Sequence, residues 1–149
     1  MEIKGYLKRK FKEILPELSI KEIGSFLEIC NYRSLKNKTV IIDPNKKFSL
    51  AFFILKGLIR GYLTNKEGVE KSIFLRPAFT IIGAHNALFD HKVSKYTFEV
   101  IGDIELLVFE LSNFENLVFK SSNILKFLLS SYKEMIQTLI YRVESMIVN

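Results

Sequence analysis

Apolar residues recur along this chain with two different periods, and the period changes twice. Over residues 2–15, Ile3, Tyr6, Leu7, Phe11, Ile14 and Leu15 follow three-and-four spacing, which predicts an amphipathic helix closed near Pro16. Ser19 followed by Glu22 has the capping-box pattern, so a second helix is expected from Ile20 to about Cys30. Its apolar side carries Ile23, Phe26, Leu27 and Cys30. After Asn31 the texture becomes β. Tyr32–Leu35, Thr39–Ile42, Phe52–Leu55, Leu58–Leu63, Glu70–Leu75, Phe79–Ile82, Tyr96–Val100 and Glu105–Phe109 are short runs bounded by turn residues. Turns are expected at Asp43-Pro44-Asn45, Lys56-Gly57, Asn65–Gly68 and Gly102-Asp103, while Gly83 to Ser94 is looser. About eight strands without helices between them predict a double-stranded β-helix, that is, a jelly roll or closed sandwich.

Helical spacing then returns. Ser112-Asn113-Phe114-Glu115 has a second capping-box pattern, and Ser121-Ser122-Asn123 makes a break or a new cap. From Ile124 to Val148 there is no Pro or Gly, which allows one long helix. That helix carries two apolar stripes. Leu125, Leu128, Tyr132, Met135, Leu139 and Met146 form a three-four seam interrupted by Arg142, and Leu129, Ile136, Ile140, Val143 and Ile147 form its neighbour. A helix lying on one domain needs a single stripe. Two stripes fit two partners, its own barrel and a second copy of the helix, with the first seam assigned to dimerisation. A wide core face, or a groove for a segment absent from this chain, would give the same pattern.

Composition narrows the class. The 149 residues are enough for one domain with a real core, and no apolar run approaches the ~20 residues of a membrane helix. The N-terminal stretch has no signal-peptide core, and the single Cys30 rules out an internal disulfide, so a cytoplasmic protein is expected. Cys30 lies on an apolar side and reads as a buried small hydrophobe rather than a reactive thiol. The net charge of +6 is dispersed over Lys8-Arg9-Lys10, Lys36, Lys38, Lys46-Lys47, Lys92 and Lys95. Dispersed charge reads as a solvated surface rather than a nucleic-acid face.

The order helices, β-roll, long helix, together with local motifs, resembles the effector domain of the Crp/Fnr family of bacterial transcription regulators, whose fold is the cyclic-nucleotide-binding domain. The matching stretches are Lys38–Asp43, Phe52–Arg60, Lys66–Lys71, Ile82-Gly83 followed by Leu88-Phe89, Glu105–Phe109 and Phe114–Leu117. The resemblance implies N-terminal helices over 1–31, a roll over 32–110 and C-terminal helices over 112–149. It also implies a homodimer paired through the long helix at Leu128, Tyr132, Met135, Leu139, Arg142 and Met146. In the family a winged helix-turn-helix after that helix binds DNA. This chain stops at Asn149, so DNA would be reached only through a domain not present in it. Arg142–Ser145 resembles the family's run into the hinge.

Cyclic-AMP binders of the family grip the nucleotide with a Gly-Glu pair and an Arg-Ser pair. Alignment on Ile82-Gly83 and on Leu88-Phe89 through Glu105 puts Ala84 at the Glu position, Lys95 at the Arg position and Tyr96 at the Ser position, with an insertion near His85-Asn86. The hydroxyl positions that reach the base fall near Leu139 and Ile140. Losing polar contacts to a buried ligand costs about 1–3 kcal/mol each, so useful cyclic-AMP affinity is not expected. The implied pocket would be lined by Phe53, Phe74, Leu75, Leu88 and Tyr96, with Gly83 also among the candidate ligand contacts. That suits either an apolar or aromatic effector of unknown identity or a filled core.

Other chemistries lack support. Cupin enzymes share the roll but need clustered metal-binding histidines, and this chain has only His85 and His91, both in the loose segment with Asp90. Cys30 and His85 are weak candidates as haem ligands. No spacing suggests a nucleophile with its base, so neither a metal nor a catalytic residue is assigned. The alternatives are a stand-alone cyclic-nucleotide-binding-like protein and a ligand-free interaction module.

Overall fold

A computed structural model describes residues 2–44, 46–84 and 94–148. Two helices, α1 (Glu2–Ile14) and α2 (Ile20–Glu28), precede strands β1 (Cys30–Leu35), β2 (Val40–Ile42), β3 (Leu50–Thr64), β4 (Glu70–Arg76), β5 (Ile81–Ile82) and β6 (Thr97–Glu110). Helices α3 (Leu111–Lys120) and α4 (Ser122–Val148) follow. All described pairings are antiparallel, in the order β1-β6-β3-β4, with β2 also on β6 and β5 also on β3.

The predicted capping box on α2 is present. Ser19 Oγ accepts from the Glu22 amide at 3.1 Å, and Glu22 Oε1 accepts from the Ser19 amide at 2.9 Å. Glu22 also accepts from the Ser121 hydroxyl and from Asn123 Nδ2, tying α2 to the start of α4. These donors, Ser121 first and then the Ser19 amide, hold the Glu22 carboxyl down at about 2. The second expected capping box is not formed. Helix α3 starts two residues earlier than that box requires, with Glu110 at the cap and no side-chain bond there, so Ser112 lies inside the helix.

Two expected turns are bulges within continuous strands. Lys56-Gly57 lies inside the fifteen residues of β3, and Gly102-Asp103 lies inside the fourteen of β6. The register between these strands shifts between Ile54 and Leu58, where the two irregularities face each other. Gly57 has φ +108, and a Cβ there would lie 2.9 Å from Ile104 Cγ1 and 3.1 Å from the Asp103 carbonyl. The glycine therefore absorbs a local kink rather than reversing the chain. Asn65–Gly68 is a true hairpin turn: Asn65 Oδ1 accepts from the Glu67 and Val69 amides. Cys30 opens β1 rather than closing α2, and burial pushes its thiol well above the ordinary value.

The sheet separates two packed regions. On one side Phe11, Phe26, Phe53, Phe109, Phe114 and Phe127 interlock beneath α1, α2 and α4, with Phe11–Phe53 ring centroids at 5.0 Å and Phe26–Phe109 at 5.2 Å. On the other side Ile42, Phe52, Ile54, Ile59, Val100, Ile104 and Leu106 fill the roll. Phe52 and Phe53 are both buried because both faces of β3 are covered.

Candidate functional site

One cavity lies where β4, the Ile81–Gly83 segment and the start of β6 meet α4. Its volume is about 260 Å³, and its walls are Phe74, Arg76, Ile81, Ile82, Gly83, Tyr96, Phe98, Tyr132 and Met135. Strand alternation turns Phe74 and Arg76 toward α4 while Leu75 points out, 55% exposed. Gly61 lies opposite Phe74 in the ladder, and a Cβ there would stand 2.7 Å from Phe98 Cε1 and 3.2 Å from Phe74 Cδ2. Its missing side chain is what lets these rings approach the strand. Phe74 and Tyr96 meet edge to face, with centroids 5.1 Å apart. The buried Ser94 hydroxyl bonds the Tyr96 amide and carbonyl and fixes the entry to β6.

Arg76 is the polar feature of this cavity, and it is only 3% exposed. Its Nη2 donates to the carbonyls of Ile81 (3.0 Å) and Ser131 (2.9 Å) and to Ser131 Oγ (3.1 Å). The guanidinium also lies 5.5 Å from the Tyr132 ring centroid. Ser131 Oγ in turn accepts from the Ile81 amide at 2.7 Å, so one hydroxyl joins α4, β4 and β5. Burial lowers the Arg76 pKa, while Tyr132 and Glu134 act in the opposite sense. Among the described residues no carboxylate forms an ion pair with it. Nη2 is fully used, but the other guanidinium donors take no hydrogen-bond acceptor among the described residues.

A neighbouring cavity of about 230 Å³ shares Phe74, Arg76 and Met135 and adds Leu58, Glu134, Leu139 and Arg142. Arg142 Nη1 donates to the Ile73 carbonyl at 2.7 Å and pins the far end of α4 to β4.

The expected pocket residues are only partly brought together. Phe74, Gly83 and Tyr96 line the main cavity, and Leu139 lines its neighbour. Phe53 does not: it is wholly buried in the phenylalanine cluster on the other face of the sheet, beside Phe11, Phe26 and Phe127. Ala84 is buried, Lys95 is exposed, and neither lines the main cavity. Ile140 is 53% exposed on α4. His85 and Leu88, like Asp90 and His91, lie outside the described residues. Arg76, Phe98 and Ser131 were not anticipated. Alternation along Phe74-Leu75-Arg76 was the available signal, because it turns a cation inward beside a ring.

The two stripes of α4 are buried differently from what the spacing predicts. Ile124, Phe127, Leu128 and Ser131 form its buried face, and Tyr132, Met135 and Leu139 continue that face at half burial. Leu128 is completely covered by its own chain, and Tyr132 and Met135 line the cavity. The seam assigned to a second copy is thus largely turned toward the chain's own sheet, with Met146 at its exposed end. Leu129, Ile136, Ile140, Val143 and Ile147 are the exposed apolar row. Among the described residues there is no group of His, Cys, Asp and Glu placed to hold a metal, and no helix is long and apolar enough to cross a membrane.

This arrangement has close counterparts among solved structures. The sensor domain of the transcriptional regulator DNR from Pseudomonas aeruginosa superposes with a TM-score of 0.74 at 14% identity, covering 97% of this chain and 95% of that one. A CooA mutant from Carboxydothermus hydrogenoformans gives a TM-score of 0.72 at 17% identity, over 87% of this chain and 81% of the other. The c-di-GMP responsive global regulator CLP from Xanthomonas campestris gives 0.75 at 12% identity, and the match spans 87% of this chain but 65% of CLP. The fold is the cyclic-nucleotide-binding-like roll of Crp/Fnr regulators. No protein-family model and no curated protein sequence matches the chain.

Proposed function

We propose that the chain is the effector-sensing and dimerisation domain of a cytoplasmic Crp/Fnr-like transcription regulator, and that it does not hold cyclic AMP in the usual way. DNA would be contacted through a further domain, and the roll itself acts as a binding module rather than an enzyme. The observation carrying this reading is the pair Ala84 and Lys95. A buried methyl stands where the resemblance calls for a carboxylate, and an exposed amine stands where it calls for a guanidinium. Neither supplies the bonds a ribose hydroxyl and a cyclic phosphate require, and a solvated lysine lacks the forked geometry of arginine. Calorimetry with cyclic AMP and cyclic GMP should give no saturable heat at micromolar ligand; low-micromolar binding of either would end the idea. Ala84→Glu combined with Lys95→Arg should raise cyclic-AMP affinity, and no gain would refute the alignment of these two positions.

Dimerisation is supported by the exposed row on α4. Five branched aliphatic side chains at helical spacing form a face that a second copy of the helix would cover. Sedimentation of the unaltered chain should show a dimer, and Ile136→Glu with Ile140→Glu should convert it to monomer. A monomer before substitution, or an undisturbed dimer after it, would remove α4 from the interface.

A further inference from the structure

The fold leaves a cation buried beside an apolar, ring-lined space. Arg76 is only 3% exposed, stays ionised because guanidinium pKa values lie far above neutrality, and forms no ion pair with a described carboxylate, Glu134 of the neighbouring cavity being the carboxylate that acts on it. Burying a charge without a contacting counter-charge is costly, and a more distant Glu134 together with two carbonyls and a hydroxyl on a single nitrogen offsets only part of that. With Nη2 engaged, Nε and Nη1 remain, and each can give a single charge-assisted bond to a carboxylate oxygen. Around it, Phe74, Tyr96 and Phe98 supply three rings whose neighbouring centroids lie 5.1 and 6.4 Å apart. A dry cavity of roughly 150 Å³ already accepts benzene. The 260 Å³ here has room for one ring and a short acidic arm.

We infer that this cavity takes a small aromatic carboxylate, with its ring among Phe74, Tyr96 and Phe98 and its carboxylate on the unused donors of Arg76. The inference rests on the reading of the domain as an effector sensor and names the ligand class for it. It also says how occupancy reaches the long helix. Arg76 is held by the carbonyl and hydroxyl of Ser131 on α4, so an anion drawing on the guanidinium acts on the contact between the roll and that helix. Lys95 is the poorer anchor, because an exposed amine keeps its water.

The test uses the complete chain and two matched pairs, benzoate with benzamide and cinnamate with cinnamamide, each titrated by calorimetry and by ligand-observed NMR, with acetate as the ringless anion. The acids should bind saturably and at least ~10-fold more tightly than their amides, as a charge-assisted bond to a buried guanidinium implies. Acetate should not compete. Equal binding of acid and amide would overturn the role of Arg76, equal binding of acetate would overturn the aromatic part, and no binding of any acid at millimolar concentration would overturn the whole. Arg76→Lys keeps the charge but loses the donors that can reach an anion while Nη2 stays on Ser131 and Ile81, and should weaken the acids ~10-fold or more while leaving the amides unchanged. If that variant does not fold, the acid–amide comparison on the unaltered chain decides alone. Absence of acid binding together with absence of cyclic-nucleotide binding would sink this ligand class and leave the effector reading standing. Tight cyclic-nucleotide binding would sink the reading of Ala84 and Lys95, whatever the acids do.

Discussion

The two sides of the sheet are packed to different ends. Under α1 and α2, six phenylalanines meet ring to ring, and Phe26 alone contacts Phe11, Phe53, Phe109, Phe114 and Phe127 with centroids between 5.2 and 6.0 Å. At the opposite end, beneath the middle of α4, Phe74 and Tyr96 are only half-buried, and a cavity remains beside a charged side chain. Both regions are aromatic, so residue type does not separate them. What separates them is closure: α1, α2, α3 and α4 all pack on the first, whereas among the described residues the second is covered by α4 alone, tied to β4 through Arg76 and Ser131. The first end is filled by side chains, and the second keeps a cavity of about 260 Å³.

The contrast breaks most sharply at Phe26. Phe26→Ala should cost ~3–5 kcal/mol by urea unfolding, because no neighbour in the interlocked cluster can collapse into the gap. Phe74→Ala should cost about 1 kcal/mol, since that ring already faces empty space and the change merely enlarges it. Comparable losses at both positions would erase the distinction between a filled and an open half. A smaller effect sits at the edge of the solid half, where Glu22 bridges α2 to α4. Its carboxyl is lowered from 4.5 to about 2, so the stabilisation is complete above about pH 4.5 and disappears as the pH falls toward about 2. Glu22→Gln should flatten stability across that window and lose about 1 kcal/mol at neutral pH, given how much of this group water screens. Unfolding curves that depend on pH equally in both proteins would show that the tie contributes nothing.

Features decided by neighbouring residues were legible in the sequence. The Ser19–Glu22 box and the Asn65–Gly68 turn are closed by atoms within four residues of each other, and both form as expected. Features decided across the sheet were not. A glycine at positive φ serves a hairpin and a bulge equally well, and only the facing Asp103–Ile104 distinguishes them at Gly57. In the same way, helical period finds two stripes on α4 but turns the Leu128–Leu139 seam toward a second copy, whereas the structure packs it on the chain's own sheet. The choice rests on Phe127 and Ser131, and the latter's partners lie 50 and 55 residues away in sequence. Arg76 escaped notice because its burial is created by that same distant helix. Phe53 was misplaced because it and Phe52 are both apolar, and the sheet's two covered faces give neither a polar mark.

The paired kinks in β3 and β6 act like matching notches in two rulers laid edge to edge. Removing a residue from one rule alone would slide every position beyond the notch by a step, and a step in a strand exchanges inside for outside. A change of chain length that keeps this register would therefore have to fall outside the paired spans, as at the tip formed by Asn65 to Gly68, or be matched on both long strands at once.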